Sequence, residues 1–343
     1  MTASHQHIQE ASPEAISAAA QRLLEGGLVA FPTETVYGLG ADAQNPEAVA
    51  RIYATKGRPS NHPVIVHLAP AADISYWAAQ VPDQARKLID AFWPGPLTLI
   101  LKRASHIPAD VAGGQDTIGL RCPSHPVAQA LLTEFARMKP NGQGGVAAPS
   151  ANKFGQVSPT QAAHVQAEFP DAGPDALLIL QGGASQVGIE STIIDLSRLD
   201  QGMGPVLLRP GHITQDQIAN VLGEAVQKPD AQAPRVSGAL KAHYAPQTPV
   251  QLVERGALSS AAQQAAALGK VVVVAFDPQA CNVPDVQVVA CSTQPDTYAR
   301  ELYALLRYLD KGGFNRILIE RPPSNTAWQA VNDRLGRAAA AFS

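Results

Sequence analysis

Residues 31–68 read FPTETVYGLGADAQNPEAVARIYATKGRPSNHPVIVHL, and this stretch decides the fold that we predict for the chain. The apolar run 28–31, which leads into it, is typical of a strand and stops at a proline. A polar cluster follows at 33–37, and then Gly38 and Gly40 are expected to change the direction of the chain.

A helix and a second strand are predicted directly after this turn. Asparagine, proline and glutamate at 45–47 suit the N-cap, the first helical position and the first turn, so the helix should run from about 46 to 55. A basic turn at 56–59 and a β-branched run at 64–68 follow. Two cations therefore lie where a loop meets a strand, close to hydroxyls, which indicates an anion pocket.

Composition and charge limit the class of protein. The 343 residues are 45% hydrophobic and 16% charged, which is typical of a globular chain long enough for two domains. The net charge of −3 is not that of a protein that binds bulk nucleic acid. Three widely spaced cysteines without a C-x-x-C pair argue against a disulfide framework or a structural zinc site. Residues 1–12 do not resemble a signal peptide and no apolar run is long enough for a membrane span, so we expect a cytoplasmic location.

The pattern of strands and helices divides the chain into three parts. We predict a catalytic domain at 1–222, a linker or lid at 223–249 and a smaller α/β domain at 250–343 with a largely parallel sheet. Residues 1–11 are expected to be a loose tail, and a helix is expected from Ser158 to about 168.

Polar residues mark the ends of several predicted strands. In open α/β sheets ligands bind at strand ends, and arginine pairs with carboxylate or phosphate through two hydrogen bonds. Such a set suits a triphosphate together with a small zwitterion, although ordinary solvent-exposed strand ends would look similar. The set is Thr33, Thr35, Lys56, Arg58, Thr117, Arg121, Ser150, Asn152, Ser191, Thr192 and Arg209.

Two further residues have more than one interpretation. His67 lies on a β-branched run, where a histidine of the core is the simpler interpretation. Glu34 is either a general base or an acceptor for backbone N–H groups. The pair Gly38 and Gly40 is not a dinucleotide fingerprint, because the third glycine of G-x-G-x-x-G is absent.

Several motifs resemble those of a known family. PTETVYGLG at 32–40, KGRP at 56–59 and PVIVH at 63–67 are similar to the signature of threonylcarbamoyl-AMP synthases, the YrdC-like family. SANKFGQVSPT, GIESTIIDL, LLRPG and HYAP follow in the family's order, and the tail resembles that of the two-domain branch. The resemblance implies an α/β fold: a YrdC-like twisted mixed sheet with helices around a concave ligand cavity, plus a smaller Rossmann-like C-terminal domain.

The resemblance also implies an activity. Such nucleotidyltransferases condense L-threonine, bicarbonate and ATP to threonylcarbamoyl-AMP and pyrophosphate, with Mg²⁺ held mainly by the nucleotide and no metal site formed by the protein. A downstream threonylcarbamoyl transferase complex then modifies tRNA, so contact of this chain with tRNA is indirect.

The family's site residues are transferred by motif. Threonine is expected to bind Thr35, His67, Arg121, Ala148, Ser191 and Thr192, with Arg121 on its carboxylate. ATP is expected to bind Lys56, Arg58, Asn61, His62, Thr117, Ser150, Asn152, Ser158, Arg209, His243 and Tyr244, of which Lys56 and Arg58 would be catalytic. Where relatives commonly have asparagine before the proline of PVIVH, this chain has His62, so Asn61 and His62 are candidates only.

Two other functions stay open at this point. One is a carbamoyl-adenylate-forming carbamoyltransferase of the hydrogenase-maturation type, although its acylphosphatase and zinc-finger segments are not visible here. The other is a module that binds double-stranded RNA without chemistry.

Overall fold

A computed structural model describes residues 8–343, and these form two compact units. The first unit contains the chain up to Phe154 together with Pro159–Ala239, and the second contains Gly155–Ser158 and Leu240–Ser343. The domain boundaries expected from the sequence, with a linker at 223–249, remain a prediction.

The first unit is built on a ten-stranded mixed sheet. Its strands are β1 Ile8–Glu10, β2 Leu28–Phe31, β3 Gly38–Asp42, β4 Ile65–Leu68, β5 Leu97–Lys102, β6 Thr117–Arg121, β7 Gly145–Ala147, β8 Leu177–Gln181, β9 Thr192–Asp195 and β10 Val206–Arg209. They are arranged in the order β1-β8-β2-β3-β7-β4-β6-β5-β9-β10, with parallel and antiparallel pairs interspersed. The mixed α/β class predicted from the sequence is confirmed.

Seven helices accompany this sheet. They are α1 Pro13–Leu24, α2 Pro46–Lys56, α3 Ile74–Trp77, α4 Asp83–Phe92, α5 Pro126–Met138, α6 Ala162–Glu168 and α7 Gln215–Leu222. Helix α2 begins as predicted, because the Asn45 side chain accepts hydrogen bonds from the N–H groups of Glu47 and Ala48. It ends at Gly57, whose left-handed φ of 61° favours glycine.

Among residues 8–239, the core of the first unit includes three apolar clusters. A large cluster includes Tyr37, Leu39 and Trp77, and a second includes Phe31 and Phe135. The third cluster is small and consists of Ile65, Ile100, Ile193 and Val236. Its isoleucines come from β4, β5 and β9, so it covers part of the sheet face on which the candidate site lies.

The second unit is a smaller three-layer α/β arrangement. Its strands are β11 Val250–Val253, β12 Val271–Ala275, β13 Gln287–Ala290 and β14 Arg316–Glu320, and its helices are α8 Leu258–Ala266, α9 Pro295–Asp310 and α10 Gln329–Ala340. The order is β11-β14-β12-β13 and all three pairings are parallel. This confirms the Rossmann-like second domain.

Three local predictions were wrong. Residues 8–10 were expected in a loose tail but form β1 parallel to β8, while 1–7 lie outside the described residues. Gly38 and Gly40 were expected to break the chain but belong to β3, where a Cβ at Gly40 would come within 2.8 Å of Phe31. The predicted helix from Ser158 begins only at Ala162, because the preceding segment runs in an extended form.

Between residues 8 and 343, none of the helices has both the length and the apolar character that a membrane crossing requires.

Candidate functional site

The candidate site lies along one face of the central strands rather than only at their ends. Residues of β4 and β6 are paired in register as Ile65 with Gly119 and His67 with Arg121. Because side chains alternate along a strand, Thr117, Gly119 and Arg121 all point to this face. Gly119 allows the Ile100 side chain to pack closely over the middle of the face, since a Cβ there would lie 3.2 Å from it. The predicted residues Thr117 and Arg121 therefore stand at opposite ends of β6.

Arg121 is held by two acceptors at the end of β6. Its Nη2 donates to Oε1 of Glu34 at 2.7 Å, and its Nε donates to the carbonyl of Gly95 at 3.3 Å. Oε2 of Glu34 accepts the N–H of Ser124 at 3.1 Å. Both side chains of this ion pair are only 4% exposed, so the charges are screened little by water. No pattern in the sequence predicted that Glu34 would pair with Arg121.

Two threonines shape the turn that carries Glu34. The hydroxyl of Thr33 lies 2.9 Å from that of Thr35 and donates to the carbonyl of Val36 at 2.6 Å. It also accepts the N–H of Val36 at 3.2 Å. Both hydroxyls are buried, so this turn is a rigid element of the site.

His67 is a neutral, buried imidazole beside Arg121. Burial, helped by the charge of Arg121, lowers the pKa of His67 to about 3. Its Nδ1 is buried and has no hydrogen-bond partner among residues 8–343. The ring packs edge-on against Phe31, with 6.0 Å between the ring centroids. At neutral pH this side chain therefore adds no charge to the site.

The pKa of His67 predicts a measurable dependence of stability on pH. Below the ordinary value of 6.5 the unfolded chain binds a proton at His67 and the native state does not, so stability falls as pH falls towards 3. We expect the free energy of unfolding of a His67→Asn variant to depend less steeply on pH, by up to about 1.4 kcal/mol per pH unit between about pH 6.5 and 4.5. Urea unfolding of both proteins measures this difference. Equal slopes would contradict a neutral His67.

A second cluster surrounds Arg209 at the end of β10. Its guanidinium donates to the carbonyl and to the hydroxyl of Ser191, at 3.0 and 3.1 Å. A third donation, at 3.0 Å, goes to the carbonyl of Ser237. The hydroxyls of Ser191 and Thr98 lie 2.7 Å apart. Thr192 is buried as well, and its hydroxyl donates to the carbonyl of Ile213 at 2.7 Å.

Ser237 also contacts Arg58, so one serine links two predicted ATP-binding arginines. Nη2 of Arg58 donates to the Ser237 hydroxyl at 3.1 Å and to the Pro63 carbonyl at 2.7 Å. The neighbouring Val236 rests on the three isoleucines of the small cluster. The space that remains there, about 10 Å³, is no larger than one water molecule needs. The sequence pointed to the segment 237–246, which includes Ser237, but not to Val236.

Lys56 contacts the loop that contains Ser150 and Asn152. Its ammonium group donates to the carbonyl of Ser150 at 2.6 Å and to the carbonyl of Asn152. Burial, with the nearby charge of Arg58, lowers its pKa well below the ordinary value. The expected contact with phosphate remains a prediction, since two donations of this ammonium group go to the protein backbone.

The remaining candidates of the first unit lie in varied surroundings. Ala148 is buried and its N–H donates to the carbonyl of Ile65 at 2.9 Å. Thr117 and Ser150 are half-buried. Asn61 is exposed, and the ring of His62 packs edge-on against Phe154 at 5.4 Å.

Three predicted ATP-binding residues belong to the second unit. The carbonyl of Ser158 accepts from Arg307 at 3.4 Å. Tyr244, at φ 60°, is stacked on Tyr303 with 5.8 Å between centroids, and the ring of His243 packs against it at 4.2 Å. Both rings are at most 5% exposed within this arrangement, so a contact with nucleotide would require their exposure.

Within the part of the chain from residue 8 onwards, no cluster of three or more histidine, cysteine, aspartate or glutamate side chains is placed to hold a metal ion.

The fold and the site define a class of protein: an α/β protein whose mixed sheet carries buried arginines and hydroxyls along one face. Comparison with known proteins identifies the family. The Sua5–YciO–YrdC family model, described as telomere recombination, matches residues 21–211. The model described as threonylcarbamoyl-AMP synthase, C-terminal domain, matches 213–340. The chain belongs to the threonylcarbamoyl-AMP synthase family, which confirms the resemblance found in the sequence.

Relatives with this name match nearly the whole chain. The threonylcarbamoyl-AMP synthase of Pyrococcus abyssi (strain GE5 / Orsay) is 35% identical, over 94% of this chain and 93% of its own length. That of Bacillus subtilis (strain 168) is 38% identical, over 94% and 92%. The crystal structure of P. abyssi Sua5 complexed with L-threonine is similar with a TM-score of 0.84 and 34% identity, covering 97% of each chain.

Proposed function

We propose that this chain is an L-threonylcarbamoyladenylate synthase, which condenses L-threonine, bicarbonate and ATP to threonylcarbamoyl-AMP and pyrophosphate. The observation that carries the proposal is the placement of two arginine clusters on one sheet face, around Arg121 and around Arg209 with Arg58. Near full-length relatives named for this activity support it.

The Arg121 end of the face is proposed to bind threonine. A guanidinium held at the end of β6 suits a carboxylate, since both groups are planar and form two parallel hydrogen bonds. Thr35, His67, Ala148 and Ser191 would surround the rest of the amino acid. Thr192 would contribute through its backbone, because its side chain points to the opposite face of the sheet and donates to the carbonyl of Ile213. A neutral His67 suits this role, because a second buried cation would repel the threonine ammonium group.

The Arg58 and Arg209 end is proposed to bind ATP. Two guanidinium groups that meet at Ser237 can turn to phosphate oxygens when that segment moves. Lys56 would hold the loop with Ser150 and Asn152 in place. The other proposed contacts of the nucleotide are Asn61, His62, Thr117, Ser158, His243 and Tyr244.

The proposed reaction has two chemical steps, formation of a carbamate and its attack on ATP. The threonine amine attacks the carbon of bicarbonate, water leaves, and a carbamate forms. A carbamate oxygen then attacks the α-phosphorus of ATP and pyrophosphate leaves. Because two anions approach each other, Arg58 and Arg209 must offset their charge. Mg²⁺ would neutralise further charge, arriving with the phosphates as it commonly does in ATP sites.

The linker at 223–249 is proposed to close over the site and exclude water from the unstable carbamate. Val236 and Ser237 support this role, since they cover the isoleucines and contact both arginines. We expect replacement of 237–246 by a glycine–serine segment of equal length to abolish adenylate formation while the first unit stays folded. Near-UV circular dichroism and product analysis measure the two effects. A Lys241→Ala variant in the same segment is the control, and full turnover by the replaced chain would contradict a lid.

The product is proposed to pass to a threonylcarbamoyl transferase complex that modifies tRNA in the cytoplasm. The test of the function is pyrophosphate release with and without L-threonine. The proposal expects release that requires both threonine and bicarbonate. A carbamoyl-phosphate-dependent transferase would ignore threonine, and an RNA-binding module would release nothing, so either result would contradict the proposal.

A further inference from the structure

We propose that Glu34 is the positioning and specificity residue of the threonine subsite: it fixes Arg121 and makes the net charge of the pocket zero, so that the pocket selects a zwitterion. This inference deepens the proposed function and rests on it.

The geometry of the ion pair leaves one edge of Arg121 for a ligand. Gly95 accepts from Nε and Glu34 accepts from Nη2, so both contacts lie along the Nε–Nη2 edge of the guanidinium. Glu34 is itself fixed, because Ser124 donates to its other oxygen and its own carbonyl accepts the N–H of Val187 at 2.7 Å. These contacts fix the orientation of the Arg121 guanidinium. A carboxylate can then bind its Nη1–Nη2 edge with two hydrogen bonds.

The charges of this pair and of the titratable side chains that interact with it sum to zero at neutral pH, whereas Arg209 belongs to the second cluster, around Ser191 and Ser237. Arg121 contributes one positive charge and Glu34 one negative charge, and they lie 2.7 Å apart. The neighbouring titratable groups are neutral: burial lowers the pKa of His67 and of His125, and burial with the Glu34 charge raises the pKa of Cys122 to about 11. L-Threonine is also neutral overall, so its binding leaves the buried pocket uncharged. An acid without the amino group would bring an uncompensated negative charge into low dielectric.

Removal of the Glu34 charge should change which ligand the subsite prefers rather than simply weaken the binding of threonine. A Glu34→Gln variant keeps the shape of the side chain and an oxygen for Arg121, but the pocket becomes positive. We expect the Kd for L-threonine to rise about tenfold and the Kd for 3-hydroxybutyrate, the analogue without the amino group, to fall about tenfold, so that preference shifts about 100-fold. Isothermal titration with each compound, without ATP, measures both constants.

Two further variants separate charge from structure. Glu34→Asp keeps the charge on a shorter side chain, so threonine should bind more weakly while its preference over 3-hydroxybutyrate remains. Asp195→Asn breaks another buried ion pair of the same unit, with Arg198, and should lower stability without a change of preference. Should Glu34→Gln fail to fold, loss of preference in Glu34→Asp would still overturn the proposal.

The outcomes distinguish this inference from the proposed function. If wild-type protein does not bind threonine, the proposed function fails and this inference fails with it. If the wild-type protein binds threonine but Glu34→Gln weakens the binding of threonine and of 3-hydroxybutyrate equally, Glu34 has only a structural role. This inference alone is then overturned. A shift of preference in Glu34→Gln of about 100-fold towards 3-hydroxybutyrate, with the control unchanged, supports the inference.

Discussion

An Arg121→Ala variant should lose threonine-dependent pyrophosphate release, with kcat/KM for threonine reduced roughly 10²- to 10³-fold. The guanidinium is almost fully buried and clamped by Glu34 and Gly95, so a carboxylate that binds it does so with little screening. Steady-state kinetics at saturating ATP should show the loss mainly as a higher KM for threonine. Titration with an ATP analogue should show unchanged nucleotide affinity.

Removal of Arg121 also leaves Glu34 charged and buried, which costs about 3–5 kcal/mol of stability in comparable pairs. The Arg121→Lys variant avoids this, because it keeps the charge beside Glu34 but lacks the planar pair of donors. It should fold normally and raise the KM for threonine about tenfold. A fully active Arg121→Lys or Arg121→Ala enzyme would contradict the threonine subsite proposed here.

An Arg58→Ala variant should have the other large effect, a loss of kcat/KM for ATP of about 10²- to 10³-fold. Arg58 is 8% exposed, and its guanidinium lies at the junction of the Pro63 carbonyl and Ser237. After movement of the linker, the positive charge of Arg58 can therefore offset the negative charge of the ATP phosphates. Threonine binding measured without ATP should not change.

The matched control is Arg51→Ala. Arg51 lies on the same helix that precedes Arg58, but it is exposed and donates to the carbonyl of Gly26 at 2.8 Å. Its loss should leave both KM values within about twofold, because exposed polar contacts contribute little. If Arg51→Ala and Arg58→Ala changed the kinetics equally, Arg58 would act through the net charge of the protein and not through a contact with the nucleotide.

Local sequence signals predicted the strand at 28–31 and helix α2. Helix α2 has its cap at Asn45 and its end at Gly57, and both signals depend only on neighbouring residues. Strand β1 was missed because three residues without an alternating pattern are stabilised by pairing with β8, far away in the sequence. The glycines of β3 favoured a turn, whereas their lack of side chains allows Phe31 and Val146 to pack closely.

The sequence predicted the arginines of the candidate site but not the residues that they contact. Arg121, Arg58 and Arg209 were chosen as ligand-binding groups at strand ends, and the fold places them along one face. Their partners Glu34 and Ser237 come from distant segments, so no spacing in the sequence relates them. The charge of a site residue also depends on its burial. His67 is neutral because it is buried, and only the packed structure shows this.

Threonine and ATP should bind along the same sheet face. The most direct measurement is a crystal structure of the protein with L-threonine, a non-hydrolysable ATP analogue and Mg²⁺. We expect the threonine carboxylate on Arg121 and the phosphates on Arg58 and Arg209, with Ser237 displaced from both arginines. Threonine bound elsewhere, or phosphates that contact neither Arg58 nor Arg209, would contradict this account.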